Sequence, residues 1–277
     1  YIVILFWILL LGFVLVLVKK DNSSSSKINI VAAENFWGSI ASQIGGSKVN
    51  VTSIVSDPNA DPHEYESNSK NAIEYANSNL VIENGLGYDS WSDHLITANP
   101  NSKRLVLNAG DVLGMKNGDN PHVWYSFEDV KLISSNIYFD LVKINPDNKE
   151  YYLKNLTEFT KQLDDLIKTE RLIGLTHLGL KVSSTESIFY YFAKDMNLDL
   201  ISPSDFMQSV SEGNDPAASS VASFIDQINS AQPSLLVYNQ QTETPITLNM
   251  KKLAENNNIK VIGISEIMPN NLNYQQW

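Results

Sequence analysis

The sequence predicts an α/β protein of two lobes, each a mainly parallel sheet flanked by helices, connected by one long helix. Three observations carry this. Short runs rich in Val and Ile alternate with longer polar stretches of helical spacing, the rhythm of strands joined by crossover helices. These runs fall into two sets. Between the sets lies one unbroken helical pattern.

The first set reads "INIVAAE" (28–34), "VNVTSIV" (49–55), "NLVIENG" (79–85) and "RLVLNAG" (104–110). The second reads "LKVSSTE" (180–186), "LDLISPS" (198–204), "LLVYN" (235–239) and "IKVIGISE" (259–266). The connecting stretch, "NPDNKEYYLKNLTEFTKQLDDLIKTERLIG", opens with Asn145 as N-cap and Pro146 at the first helical position. Tyr152, Leu156, Phe159, Leu163 and Leu166 form one apolar stripe, and Gly174 is the expected stop. That is one helix of roughly 27 residues, about 40 Å long at 1.5 Å per residue. The stripe spans too few heptads to favour a coiled coil. The expected organisation is a first lobe over 28–145, a linking helix over 146–172 and a second lobe over 173–277.

Residues 1–18, "YIVILFWILLLGFVLVLV", carry no charge and are followed by Lys19 and Lys20. A run of that length is at the lower bound for a membrane span and exceeds the usual core of a signal peptide. It predicts export, with residues 1–27 acting as a signal or anchor and "DNSSSSK" as a flexible tether. No lipid-attachment cysteine is present to support lipoprotein anchoring. The chain of 277 residues is 43% hydrophobic, enough for substantial cores. Its net charge of −11 argues against nucleic acid as a partner. With no cysteine, any metal must be held by nitrogen and oxygen.

Ligands of open α/β sheets bind beyond the carboxyl ends of the strands, and four metal-ligating side chains fall there. His63 lies in "DPHEYE", where Pro62 fixes its own φ and pushes Asp61 toward extended backbone. His122 sits in a second Pro-His loop, "NPHVW". Glu186 ends "LKVSSTE" and Glu266 ends "IKVIGISE". Each has a plainer reading. A loop histidine is often only solvated, Glu186 is placed to cap the helix after it, and Glu266 is placed to pair with a basic neighbour. His94 fits a helix face, and His177 precedes a strand at the wrong end for the site. No P-loop, GxSxG or HExxH is present, and "ENGLGYDSW" lacks the dinucleotide-binding spacing.

"DPHEYE", "NGLGYDSW", "NPHVWYS", the linking helix and "TESIFYYFAKDMNL" together resemble the metal-binding proteins of zinc and manganese ABC importers, the cluster A-I solute-binding proteins. The resemblance runs from about residue 28 to the end. It implies two lobes joined by a rigid helix, a metal ion held in the cleft between them, and modest closure. His63 and His122 match the family's two histidines. Glu186 stands where zinc-type members often have a third histidine and manganese-type members a glutamate. Many members place an aspartate near Asn270, but Glu266 is the nearest ionised carboxylate and is preferred as the fourth ligand. The histidine-rich loop of many zinc members is missing. The sequence stops at Trp277, short of the family's final helix, so the second lobe reads as truncated.

The resulting expectation is an extracytoplasmic, monomeric binding protein, not an enzyme. It would capture Zn²⁺ or Mn²⁺ through His63, His122, Glu186 and Glu266 and deliver it to an ABC permease in the cytoplasmic membrane. The competing readings are a metal-dependent hydrolase with Glu266 as general base, a surface adhesin, and a siderophore-binding or haem-binding module of the same fold.

Overall fold

The computed structural model describes residues 27–58 and 65–277. The expectations for the apolar segment, the tether up to Ser26 and His63 therefore lie outside the described residues. No helix among the described residues is long and apolar enough to cross a membrane.

The chain runs β1 (Ile28–Glu34), α1 (Asn35–Gly45), β2 (Val49–Val55), α2 (Ser69–Asn77), β3 (Leu80–Glu83), α3 (Ser90–Ala98), β4 (Leu105–Asn108), α4 (Ala109–Leu113) and α5 (Phe127–Ile144). After the long α6 (Lys149–Thr176) come β5 (Lys181–Ser184), α7 (Tyr190–Asp195), β6 (Asp199–Leu200), α8 (Ser204–Ser211), α9 (Ala218–Asn229), β7 (Leu235–Asn239), α10 (Pro245–Asn256) and β8 (Lys260–Ile264). The two sheets are separate, with orders β2-β1-β3-β4 and β6-β5-β7-β8. Every pairing is parallel. Both halves thus use one strand order, which brings the carboxyl ends of each sheet's strands to a common edge. The run "LDLISPS" contributes only the two-residue β6, because Pro203 cannot donate into a ladder and α8 begins at the next residue.

Local chemistry sets the helix starts. Ser126 caps α5 by accepting from the Asp129 N–H, and Glu128 and Asp129 lie in its first turn, where the helix dipole favours negative charge. Asn68 and Asn71 form a reciprocal capping box on α2. Asn145, expected to cap the linking helix, instead closes α5. Pro146–Asn148 form a 3₁₀ turn before α6, with no side-chain cap from Asn145.

The 28 residues of α6 run past the expected stop. Its buried stripe is Tyr152, Leu156, Phe159, Leu163, Ile167, Glu170 and Gly174, so the period drifts from Leu166 to Ile167 as 3.6 residues per turn requires. Gly174 does not end the helix. A Cβ there would lie 2.5 Å from the Met196 carbonyl oxygen, and the glycine lets α6 press against the backbone that leads to β6.

One apolar core joins both sheets. It includes Ile30, Leu80 and Ile82 of the first sheet, Tyr152, Phe159 and Leu163 of α6, and Val182 and Val237 of the second sheet. A smaller core, with Phe206, Phe224, Leu236 and Met250, lies under α8–α10. The shared core holds the facing edges of the two sheets in register for the site between them.

Candidate metal centre

Strand ends and two tight loops deliver the site. Glu186 lies two residues past β5, and Glu266 lies two residues past β8. His122 precedes a 3₁₀ turn, Val123–Tyr125, that leads into α5. All three side chains are fully buried, and each offers a donor atom within 4.8 Å of the others. His122 Nε2 is 2.9 Å from Glu266 Oε1. The structure therefore brings together three of the four residues singled out in the sequence, one from the first half and two from the second. The fourth, His63, is outside the described residues.

The plainer readings fare differently. Glu186 is at the N-cap position of a 3₁₀ turn (Ser187–Phe189) but makes no side-chain cap. Its Oε1 instead accepts from Asn239 Nδ2 at 2.5 Å. Among the described residues, Glu266 pairs with His122. Asn270 is exposed and borders a different cleft with Ser39, Gln43 and Leu272. His94 is exposed on α3, and His177 is exposed at the end of α6.

Several residues that the sequence did not single out build the surroundings. Asn120 Oδ1 accepts from the His122 backbone N–H at 3.0 Å and lies 2.8 Å from His122 Nδ1. An amide oxygen only accepts, so this contact calls for a proton on Nδ1 and leaves Nε2 as the nitrogen that faces the Glu266 carboxylate. Asn120 Nδ2 also donates to the Ser187 carbonyl, tying the His122 loop to the Glu186 loop. Tyr88 Oη lies 3.4 Å from Glu266 Oε2. Burial first, then the charges of Glu266, Glu34 and Glu186, push the Tyr88 hydroxyl well above its ordinary pKa, so it stays a donor. The His122 ring packs edge-on against Trp124, 5.1 Å between centroids.

The "NGLGYD" stretch forms the turn that supports this loop. Gly85, Leu86 and Gly87 all have positive φ. Asp89 clamps the turn, its two oxygens accepting from the Asn84 and Gly85 N–H groups at 2.7 and 2.8 Å. Asn84 Nδ2 donates to the Pro121 carbonyl at 3.0 Å, so the turn holds the residue before His122.

On the other side, Gln241 Oε1 accepts from the N–H groups of Glu266 and Ile267, both at 2.7 Å. Asn239 ends β7 and Gln241 lies two residues beyond it, and β7 lies between β5 and β8. The strand-end rule that singled out Glu186 and Glu266 applies equally to "YNQQT", and it was the available signal for both amides.

Nitrogen and carboxylate oxygen donors without sulfur suit Zn²⁺ or Mn²⁺. Two carboxylates sharing a dry site are costly as anions unless a positive charge joins them.

Comparison with known proteins identifies the family. The family model for the periplasmic zinc-uptake complex component A, ZnuA, matches residues 30–277. The manganese ABC transporter substrate-binding lipoprotein PsaA of Streptococcus anginosus is 26% identical over 259 residues, covering 88% of this chain and 81% of that protein. Two solved structures share the fold. The periplasmic zinc-binding protein TroA of Treponema pallidum superposes with a TM-score of 0.76 at 15% identity, over 91% of this chain and 95% of that one. The solute-binding protein FpvC of Pseudomonas aeruginosa, solved with Mn²⁺, gives 0.72 at 19%, over 90% and 93%. With a family match over nearly all its described length and a buried His-Glu-Glu cluster between two like-ordered parallel sheets, the chain belongs to the ZnuA family of periplasmic metal-uptake components.

Proposed function

We propose that this chain is an extracytoplasmic solute-binding protein that captures a divalent transition metal, Zn²⁺ or Mn²⁺, through His63, His122, Glu186 and Glu266. It delivers the ion to an ABC permease in the cytoplasmic membrane. The observation that supports the ligand set is the meeting of one imidazole and two carboxylates, all fully buried, with donor atoms inside 4.8 Å. Two glutamates balance the charge of a divalent ion, and the neutral histidines add nitrogen donors without changing that balance. His63 enters from its sequence alone, as the second histidine stiffened by a preceding proline.

Substrate-binding components of ABC transporters carry out no reaction, and the chain is not an enzyme. The hydrolase alternative finds no support in the family. We further propose that the protein acts as a monomer whose lobes span 28–145 and 173–277, with α6 limiting their relative motion.

The test is calorimetric titration of the full chain in mild detergent after chelator treatment, with Zn²⁺ and Mn²⁺ in turn. His63→Ala, His122→Ala and Glu186→Gln are each expected to lower affinity on the order of a hundredfold, about two steps of 1.4 kcal/mol. A parent protein that binds neither ion would sink the reading. A variant with unchanged affinity would remove that residue from the site.

A further inference from the structure

Asn239 is 2% exposed and stands at the end of β7, the strand between the two that deliver Glu186 and Glu266. Its orientation is fixed by the main chain. Asn239 Oδ1 accepts from the Gln241 backbone N–H at 2.9 Å, and an N–H can only donate. The amide NH₂ must therefore face Glu186, and Nδ2 donates to Oε1 at 2.5 Å. This is a charge-assisted contact to one oxygen of a buried carboxylate.

The consequence concerns how Glu186 can meet an ion. A carboxylate that chelates through both oxygens must turn a lone pair of each toward the metal. Oε1 keeps a second lone pair, but the amide bond draws charge from that oxygen and fixes the plane of the carboxylate. Oε1 is therefore the weaker metal donor of the two, and two-oxygen chelation is disfavoured relative to one-oxygen binding through Oε2. Zn²⁺ is satisfied by four donors in all and does not need a second oxygen from Glu186. Mn²⁺ favours more oxygen donors and a higher coordination number. A weakened second oxygen therefore penalises Mn²⁺ more.

Resting on the metal-capture reading above, we infer that Asn239 is a specificity-determining residue, which by holding Glu186 Oε1 biases the site toward Zn²⁺ relative to Mn²⁺. Gln241 is the internal comparison. It holds the backbone of Glu266 and Ile267 and touches no carboxylate oxygen of the cluster, so its loss should loosen the site for both ions alike.

The experiment measures Zn²⁺ and Mn²⁺ affinities of the full chain by competition with a chelator of known affinity. Asn239→Leu keeps the side-chain volume and deletes the donor. It is expected to shift the ratio of the two dissociation constants toward Mn²⁺ by about tenfold or more, the scale of outer-shell effects on metal affinity. Gln241→Leu is expected to weaken both ions with the ratio held within about twofold. A parent-like ratio in Asn239→Leu would overturn the inference. A second measurement needs no Asn239 variant. Infrared difference spectra of the zinc-loaded parent, assigned with Glu186→Gln, should show the wide carboxylate splitting of one-oxygen binding, and a narrow chelate splitting would overturn it. Should Glu186→Gln bind zinc as tightly as the parent, the ligand assignment itself falls and takes the inference with it. Should Glu186→Gln lose zinc while Asn239→Leu keeps the parent ratio, the inference alone falls.

Discussion

His122 Nε2 lies 2.9 Å from Glu266 Oε1, although the two residues are 144 positions apart and follow strands of different sheets. Neither has any exposed surface. This contact supports the proposal of Glu266 over Asn270 as the last ligand, since Asn270 is exposed and lines a different cleft. Glu266→Gln is expected to lower metal affinity at least tenfold, about 1.4 kcal/mol or more. Asn270→Ala and Asn270→Asp are both expected to bind as the parent does. Titration of the three variants checks this, and a larger loss in Asn270→Ala than in Glu266→Gln would reverse the assignment.

Metal release should follow acid. A histidine binds metal only when neutral, so protons compete with the ion at His122 and at the proposed ligand His63. Affinity is expected to fall steeply below about pH 6, near the ordinary histidine pKa. Titrations at stepped pH test it, and a flat affinity down to pH 5 would remove histidine from the site.

Glu170, which is not among the proposed ligands, gives a separate pH effect. It is 7% exposed on the buried stripe of α6, where its Oε1 has no hydrogen-bond partner among the described residues. Burial first, then the charges of Asp195 and Glu128, push its pKa up to about 8, against a small opposing pull from Arg171. The folded state thus keeps a proton that the unfolded chain releases from about pH 4.5 upward. Stability is lost as pH rises through that window and levels off above about 8. Glu170→Gln mimics the protonated side chain. It is expected to leave stability near the parent's at pH 5 and to exceed it increasingly toward pH 8. Urea unfolding of the chelator-treated proteins at several pH values reads this out, and a gap that is constant across pH would contradict it.

Asp89 acts in the same direction. Burial and the neighbouring Glu83 charge raise its carboxyl to about 7, despite the Asn84 and Gly85 N–H groups that favour its ionised form. Asp89→Asn removes one of the two backbone clamps that a carboxylate provides. We expect it to flatten the pH slope between about 4 and 7 and to weaken metal binding by loosening the Asn84–Pro121 link to His122. An unaltered slope in the same unfolding series would count against the assignment.

Gly174→Ala sets two effects against each other. Alanine gains about 1 kcal/mol of helix propensity, but its Cβ would meet the Met196 carbonyl oxygen at 2.5 Å. That carbonyl belongs to backbone pinned by the Met196 and Leu198 N–H bonds to Phe192 and Ala193, so it cannot yield cheaply. Overpacking of this kind costs about 1–3 kcal/mol. The net expectation is a lower melting temperature for Gly174→Ala and a much lower one for Gly174→Val.

The sequence by itself determined the strand and helix alternation, the two sets of strands and the long linking helix, because these follow from apolar periodicity and from local caps and prolines. It also placed His122, Glu186 and Glu266 at strand ends or in a stiffened loop, because parallel strands share a carboxyl edge. What only the tertiary structure decided was which of these side chains meet and how they are held. The loop after β8 turns Glu266 inward and Asn270 outward because Gln241 takes the N–H groups of Glu266 and Ile267, while Asn35 exchanges hydrogen bonds with Met268. Asn35 and Met268 are 233 positions apart. Gly174, which reads locally as a helix stop, is kept inside α6 by a backbone it meets only in the folded chain. Local sequence encodes propensity and edge, whereas the direction of a buried polar side chain is set by partners that folding alone brings within hydrogen-bond reach.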